Sequence, residues 1–407
     1  MKRIKDYFKR QITEIREDSA LRIYGACLAI GNVLSYTNWK GVYIPKYLID
    51  EPICWPFFES CHKLRFLNVD QINLVFSAFG IASVIGVILF FRKKTVTSAY
   101  WWLIGVNIFK TLIYITDYRL RMNQHYMLYF VTFAFLFLPH KRDLLRYLIV
   151  AFYVGAGSLK LNQEWLSGAG LYRDPLWIHG KFVPIACAYA AILETCFSYG
   201  LLVRRKIIFW ATFIQIALFH LVSFPVVGPF YPLLMFGIIA IFPLTYFYER
   251  TDETPNLLRA FLTGRQWIST YVFIGLFVLG QLVPKIMPGD EKITGEGRLF
   301  SLHMFDAKVA CEGQLTLKFR DGSVQEVEIP QKMKVRIKCD PVVNLSLARN
   351  QCRKYQNDAN FENLDFYYEA RLESAKDMRP LVDISDFCSK KIDYKMWRPN
   401  DWIIKYE

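Results

Sequence analysis

INLVFSAFGIASVIGVILFF, residues Ile72 to Phe91, runs straight into Arg92-Lys93-Lys94, and it decides the fold class of this chain. The run carries no charged side chain, and about 20 apolar residues is the length that takes a helix through the hydrocarbon core of a bilayer. Nine such segments can be drawn: Leu21–Tyr36, Ile72–Phe91, Ala99–Ile115, Tyr126–Leu138, Leu144–Leu159, Phe182–Val203, Ile207–Val222, Tyr231–Phe247 and Trp267–Ile286. The fourth is short and is expected to tilt or to borrow length from its flanks.

Composition agrees. Of 407 residues, 53% are hydrophobic and 16% aromatic, more apolar mass in long runs than a soluble core uses. The net charge of +14 would suggest nucleic acid in a soluble protein. Here the basic residues sit in short clusters at the ends of apolar runs, and no basic face with interleaved aromatics appears, so nucleic acid is not an expected partner. Lys and Arg gather in Met1–Arg22, Arg92–Lys94, Lys141-Arg142 with Arg146, Arg204–Lys206 and Arg250–Arg265, which are alternate connections. That is the pattern of cytoplasmic loops. The other connections, Trp39–Asp70, Thr116–His125, Asn162–Lys181 and Ser223–Phe230, are then outside, as is the C-terminus. Met1 to Asp18 reads as a charged, amphipathic cytoplasmic helix and not as a cleavable signal peptide.

Cysteine placement makes the same division. Cys27, Cys187 and Cys196 lie in apolar segments, whereas Cys54, Cys61, Cys311, Cys339, Cys352 and Cys388 all fall outside. An even number on the oxidising side allows up to three disulfides, of unspecified connectivity. After Pro288 the character changes. Gln314–Phe319 and Val324–Ile329 alternate in polarity around Arg320-Asp321-Gly322-Ser323, a β-hairpin signal. Lys334–Lys338 suggests a third strand, and Asn344–Tyr355 or Leu372–Met378 some helix. Asn344-Leu345-Ser346 fits a glycosylation sequon, a pattern common by chance. The expectation is a polytopic α-helical membrane protein of about nine transmembrane helices (1–286), followed by an extracytoplasmic β-rich domain (287–407), in the cell membrane or endoplasmic reticulum.

Ionisable groups within apolar segments are costly and mark candidate sites. These are Lys110, His125, Lys160, Glu194 and His220. His125 lies 17 residues before Arg142 and Lys160 lies 18 after it, so two antiparallel helices leaving one turn bring both to similar depth near the outer surface. His220 ends another rising helix. Burial disfavours an ammonium, which lets a lysine serve as general base, with a histidine beside it to stabilise a developing anion. Plainer readings stand beside this one. Lys160 snorkels to the interface or pairs with Glu164 one turn on; His125 is an interfacial residue; Glu194 and Lys110 form a structural ion pair; His220 makes a helix–helix hydrogen bond. No HxxxH spacing supports a metal site. No GxSxG, Walker loop or GxGxxG occurs.

The stretch from Tyr153 to Gly168, YVGAGSLKLNQEWLSG, resembles the signature of the vitamin K-dependent gamma-glutamyl carboxylases and of the wider horizontally transferred transmembrane domain group. Asn123-Gln124-His125 with the aromatic run to Tyr129 resembles a second motif of that family, Gln124 standing where the family has a second Asn. Phe219-His220, Gln281–Pro284 with Gly297–Phe300, and Phe319–Gly322 resemble further landmarks in the same order. The likeness spans roughly Leu21 to Ile329. It implies an enzyme that oxidises a reduced vitamin K or menaquinol-type naphthoquinone to its epoxide with O2, coupled to addition of CO2 to glutamate in a secreted or periplasmic peptide or protein, without a metal. Lys160 would be the base and His125 its catalytic partner, with Asn123, Gln124, Tyr153, Trp165 and His220 around the quinone. A propeptide exosite like that of the longer animal carboxylases is not expected. Two other classes compete: a non-catalytic membrane scaffold for peptide binding or export, and a quinone-linked electron carrier without carboxylation.

Overall fold

The structure is a computed structural model that describes residues 2–42, 51–58, 60–64, 66–248, 268–299, 301, 308–328 and 335–406. The basic cluster Arg250–Arg265, together with Trp267, Phe300, Ile329 and Lys334, lies outside the described residues.

The chain is mostly helical. Helix α1 is Lys2–Glu17, α2 Ser19–Val42, α3 Val69–Phe90, α4 Val96–Tyr114, α5 Asn123–Phe137 and α6 Lys141–Leu159; then come α7 Phe182–Thr195, α8 Lys206–Val222, α9 Phe230–Ile239, α10 Ile241–Phe247 and α11 Ile268–Ile286. Each of the nine apolar segments coincides with helix. Among the described residues, four stretches are long and apolar enough to cross a membrane: Val69–Phe90, Phe182–Leu202, Phe230–Phe247 and Ile268–Ile286. The second continues from α7 through a 3-10 turn, Phe197–Leu202. The third is broken at Ala240, because Pro243 has no N–H to return to the carbonyl of Ile239.

Local sequence explains the helix starts. Asn68 opens α3 with a reciprocal capping box: its side chain accepts from Gln71 N (2.9 Å), and its own N–H donates to the Gln71 side chain (3.0 Å). Along α3, Leu74, Ile81 and Ile88 recur every seven residues and are 70%, 62% and 62% exposed. An apolar stripe left bare by the folded chain marks contact with another apolar phase. The inner face of α3, with Phe76, Phe79 and Phe90, is buried.

The connections sort into two groups. At one end Lys93 pairs with Glu17 (2.6 Å), Arg142 with Asp18 (3.1 Å), the Lys141 N–H donates to Glu14 (2.7 Å), and Arg146 reaches the Leu201 carbonyl (3.3 Å). At the other, Tyr118 donates to Asp340 (3.0 Å), Asn350 to the Pro52 carbonyl (3.2 Å), Arg121 to the Arg298 carbonyl (2.6 Å), and Ser374 to Glu164. Helix α6 runs from the first group to the second, a rise of roughly 28 Å for its 19 residues.

The C-terminal part is an antiparallel sheet of order β2-β1-β3-β4, with β1 Val309–Phe319, β2 Val324–Glu328, β3 Phe361–Leu372 and β4 Arg379–Ile384. The hairpin at Arg320–Ser323 forms as its sequence indicates; Gly322 takes φ +82°, the left-handed conformation that closes such loops. Helix α12, Pro341–Tyr355, packs on β3. Asp340 caps it, accepting from Val342 N (3.0 Å), and Pro341 occupies its first turn. Cys311–Cys339 ties the start of α12 to β1, Cys352–Cys388 ties its last turn to the 3-10 turn Phe387–Ser389 that follows β4, and Cys54–Cys61 closes a small loop.

One expectation is corrected and two open readings are decided. Val335–Lys338 is a helical turn, not a third strand. Leu372–Met378 ends β3 and turns, with Ala375 N donating to the Leu372 carbonyl, while the helix lies at Pro341–Tyr355. The sequon residue Asn344 is fully buried, donating to the carbonyls of Lys338 (2.9 Å) and Asp340 (3.2 Å).

The six cysteines that lie outside the apolar segments are all paired, and Cys27, Cys187 and Cys196 are free. Alkylation of the denatured protein therefore labels three cysteines without reductant and all nine with it, counted by intact mass. The same mass carries no glycan at Asn344 after expression in a glycosylating host.

Candidate functional site

The site is built where α6 meets α7. Gly157 allows that meeting: a Cβ there would lie 2.9 Å from Thr195 N and 2.9 Å from Glu194 Cβ, too close for either backbone to stay in place. Three residues on, Lys160 ends α6, and its Nζ contacts Glu194 Oε2. Asn162 then caps a single helical turn, Gln163–Leu166, by accepting from Trp165 N (3.1 Å). Trp165 Nε1 donates to the Cys187 carbonyl on α7 (2.7 Å), which pins the indole beside the amine. The Lys160 Nζ stands 5.2 Å from the Trp165 ring centre and 5.9 Å from that of Phe219, within cation–π range. Gly168, at φ +79°, turns the chain away.

Lys160 is only 4% exposed, which sets aside snorkelling. Pairing with Glu164 is not seen either. Glu164 accepts from Ser374 of the sheet domain, and burial pushes its carboxyl above the usual range. The pairing of Glu194 with Lys110 is likewise replaced. Lys110 is fully buried on the Tyr129 ring, 4.6 Å from its centre, and its Nζ makes no hydrogen bond among the described residues.

Lys160 faces a cavity of about 680 Å³, its open mouth included, lined among others by Gln124, Trp165, Phe219 and Tyr231 and by the aliphatic Leu171 and Val226. Its wall is mostly apolar, broken by Lys160, Gln124 and Ser223.

The histidines divide. His220, on α8, is buried behind the wall: Tyr153 OH and His220 Nε2 are 2.7 Å apart, joining α6 to α8, and the rings of Phe219 and Tyr231 lie 5.1 and 5.4 Å from its own. This is the helix–helix hydrogen bond the sequence allowed. His125 is packed between Trp39 (4.8 Å) and Phe230 (5.2 Å), with Ser35 Oγ 3.3 Å from Nδ1. It is fully buried, not interfacial, and its Nε2 has no hydrogen-bond partner among the described residues. The neighbouring Gln124 lines the cavity; His125 does not, and Asn123 is buried beside it. Lys160, Trp165, Gln124 and the Tyr153–His220 pair thus gather at one place, and His125 lies one layer behind Phe230. Sequence reasoning missed Glu194 as the partner of Lys160, and Tyr231 as cavity wall. Spacing within one helix carries no signal for a contact made between two.

Compared with family descriptions, with curated proteins and with solved structures, the chain matches none. The reading of the site rests on its own residues.

Because Gly157 lets the two helices touch, Gly157→Val should force them apart, at a cost of about 1–3 kcal/mol from overpacking. The expected result is a lower midpoint in thermal unfolding of the detergent-solubilised protein, while the same substitution at the uncrowded Gly105 changes it far less.

Proposed function

We infer that this chain is an integral membrane enzyme of the gamma-glutamyl carboxylase-like kind, whose cavity takes a reduced naphthoquinone and whose Lys160 is the base. The observation that carries this reading is a lysine amine held out of water in the wall of an aromatic-lined pocket. A lysine in such a place is unusual unless it has chemistry to do. Gln124 can donate or accept at the ring oxygens, and Trp165, Phe219 and Tyr231 offer faces for an aromatic ligand. His125 takes a positioning role in this reading, through Phe230 and the start of α5. The ligand would supply the redox chemistry with O2; the protein removes a hydroxyl proton and keeps bulk water out.

Nine helices crossing the bilayer, with the basic connections cytoplasmic and the disulfide-bonded end outside, complete the proposal. The two separate groups of connections and the three disulfides support it. An outer-facing cavity suits a secreted or periplasmic peptide as the carboxylated substrate, the part of the reading that comes from the resemblance. The Lys160–Glu194 ion pair is also the contact a purely structural lysine makes, and it favours, as second reading, a non-catalytic scaffold.

The test supplies purified protein with reduced naphthoquinone and O2 and follows epoxide formation. Lys160→Ala should slow it by about 10²–10⁴-fold, the usual contribution of a general base. No epoxide from the wild type, or an undiminished rate in Lys160→Ala, sinks the assignment. Quinol oxidation without epoxide or CO2 incorporation points to the electron carrier.

A further inference from the structure

An ammonium already holding three protons has no lone pair with which to take a fourth. If Lys160 is a base, its ion pair with Glu194 has to be part of the reaction. We propose that Glu194 is the terminal proton acceptor of the site, Lys160 passing one proton to it while taking another from the ligand hydroxyl. This rests on the reading of the cavity as a quinol site.

The geometry favours this direction of transfer. Glu194 is fully buried and its Oε2 contacts Lys160 Nζ. Its other oxygen, Oε1, has no hydrogen-bond partner among the described residues. A buried carboxylate with a bare oxygen is a poorly stabilised anion, and gaining a proton relieves it. Of the hydroxyls on the same chain segment, Thr195 donates to the Ala191 carbonyl (2.7 Å) and Ser198 to the Glu194 backbone carbonyl (2.7 Å), so both leave the carboxylate alone. Lys160 touches both parties, with Glu194 on one side and the cavity on the other.

The proton count closes. The ligand O–H bond breaks, and a new N–H bond forms at Lys160 Nζ. One of the N–H bonds already there breaks, and an O–H bond forms at Glu194 Oε2. Lys160 begins and ends as ammonium, Glu194 goes from carboxylate to carboxylic acid, and the ligand keeps its electron pair as an anion beside the ammonium. No oxidant is needed for this step. The ammonium that remains stabilises the anion it has made. The site would release its extra proton later, through Glu194.

The other titratable groups that Glu194 and Lys160 meet are Tyr153 on α6, Cys187 on α7, His220 on α8 and Tyr231 on α9. Tyr153 and His220 are bonded to each other, so neither competes for the Glu194 carboxylate.

The experiment uses the full chain in lipid nanodiscs, with reduced naphthoquinone as probe, and measures binding and the rate of quinol oxidation across pH. The wild type should show a rate that is nearly flat around neutrality, since its acceptor is built in. Glu194→Gln should still bind quinol but react about 10²-fold more slowly at neutral pH, with a rate that climbs by about one log unit per pH unit because Lys160 now has to shed its proton to solvent. Glu194→Asp should regain the flat profile. A purely structural partner would not change the pH slope. Equal rates and profiles in wild type and Glu194→Gln overturn the proposal, as does a Glu194→Gln protein that loses quinol binding in proportion to its rate. If Glu194→Gln does not fold, infrared difference spectra of the wild type decide: a carboxylic-acid C=O band that appears on reaction with quinol supports the relay, and its absence overturns it. A wild-type protein that neither binds nor oxidises quinol is a different failure, that of the quinol site itself.

Discussion

The contact between Lys160 and Glu194, buried where two helices touch, is the constraint around which the rest of the site is arranged. Two opposite charges taken out of water are stable only while both are present; removing one partner from such a pair costs about 3–5 kcal/mol. The pair therefore holds the end of α6 against α7. That same junction sets the Asn162 turn, the placement of Trp165 over the amine and the near wall of the cavity. Gly157 is the steric permission for the arrangement, because any side chain there would separate the partners.

Around this junction the polar groups are layered. Lys160 and Gln124 face the cavity; Glu194 and the Tyr153–His220 pair lie behind it; His125 sits deeper among aromatic rings. In an apolar surrounding such layering lets each polar group be oriented by the next. The sheet domain takes part in this. Ser374 bonds Glu164, one residue before Trp165, so the rim of the cavity and the disulfide-tied domain are mechanically joined.

Much of this was legible in the chain. The nine apolar segments are helices, the Arg320–Ser323 hairpin forms, and the six cysteines beyond the apolar segments pair. Other elements were missed although they left a trace. In β3, Leu364, Phe366, Tyr368 and Ala370 alternate and are buried, a period-2 pattern hidden among the charged residues Glu362, Asp365 and Glu369. Val335–Lys338 has the composition of a strand but follows no partner edge and coils before the Asp340 cap. The Asn344 sequon is spelled correctly and is buried, because a sequon records three residue types and not their accessibility.

The sequence by itself determined which segments are apolar enough to be helices, which connections are basic, which cysteines can meet an oxidising environment, and that Lys160 is followed by a turn bearing Trp165. These are properties of short stretches, set by periodicity, capping and composition. Only the tertiary structure decided that Lys160 meets Glu194 and not Glu164 or an interface, that His220 bonds Tyr153, and that His125 stands back from the cavity. Each of those contacts joins residues on different helices. Their choice depends on how closely the helices approach and at what rotation, which side-chain volume at positions such as Gly157 settles and a linear reading does not contain.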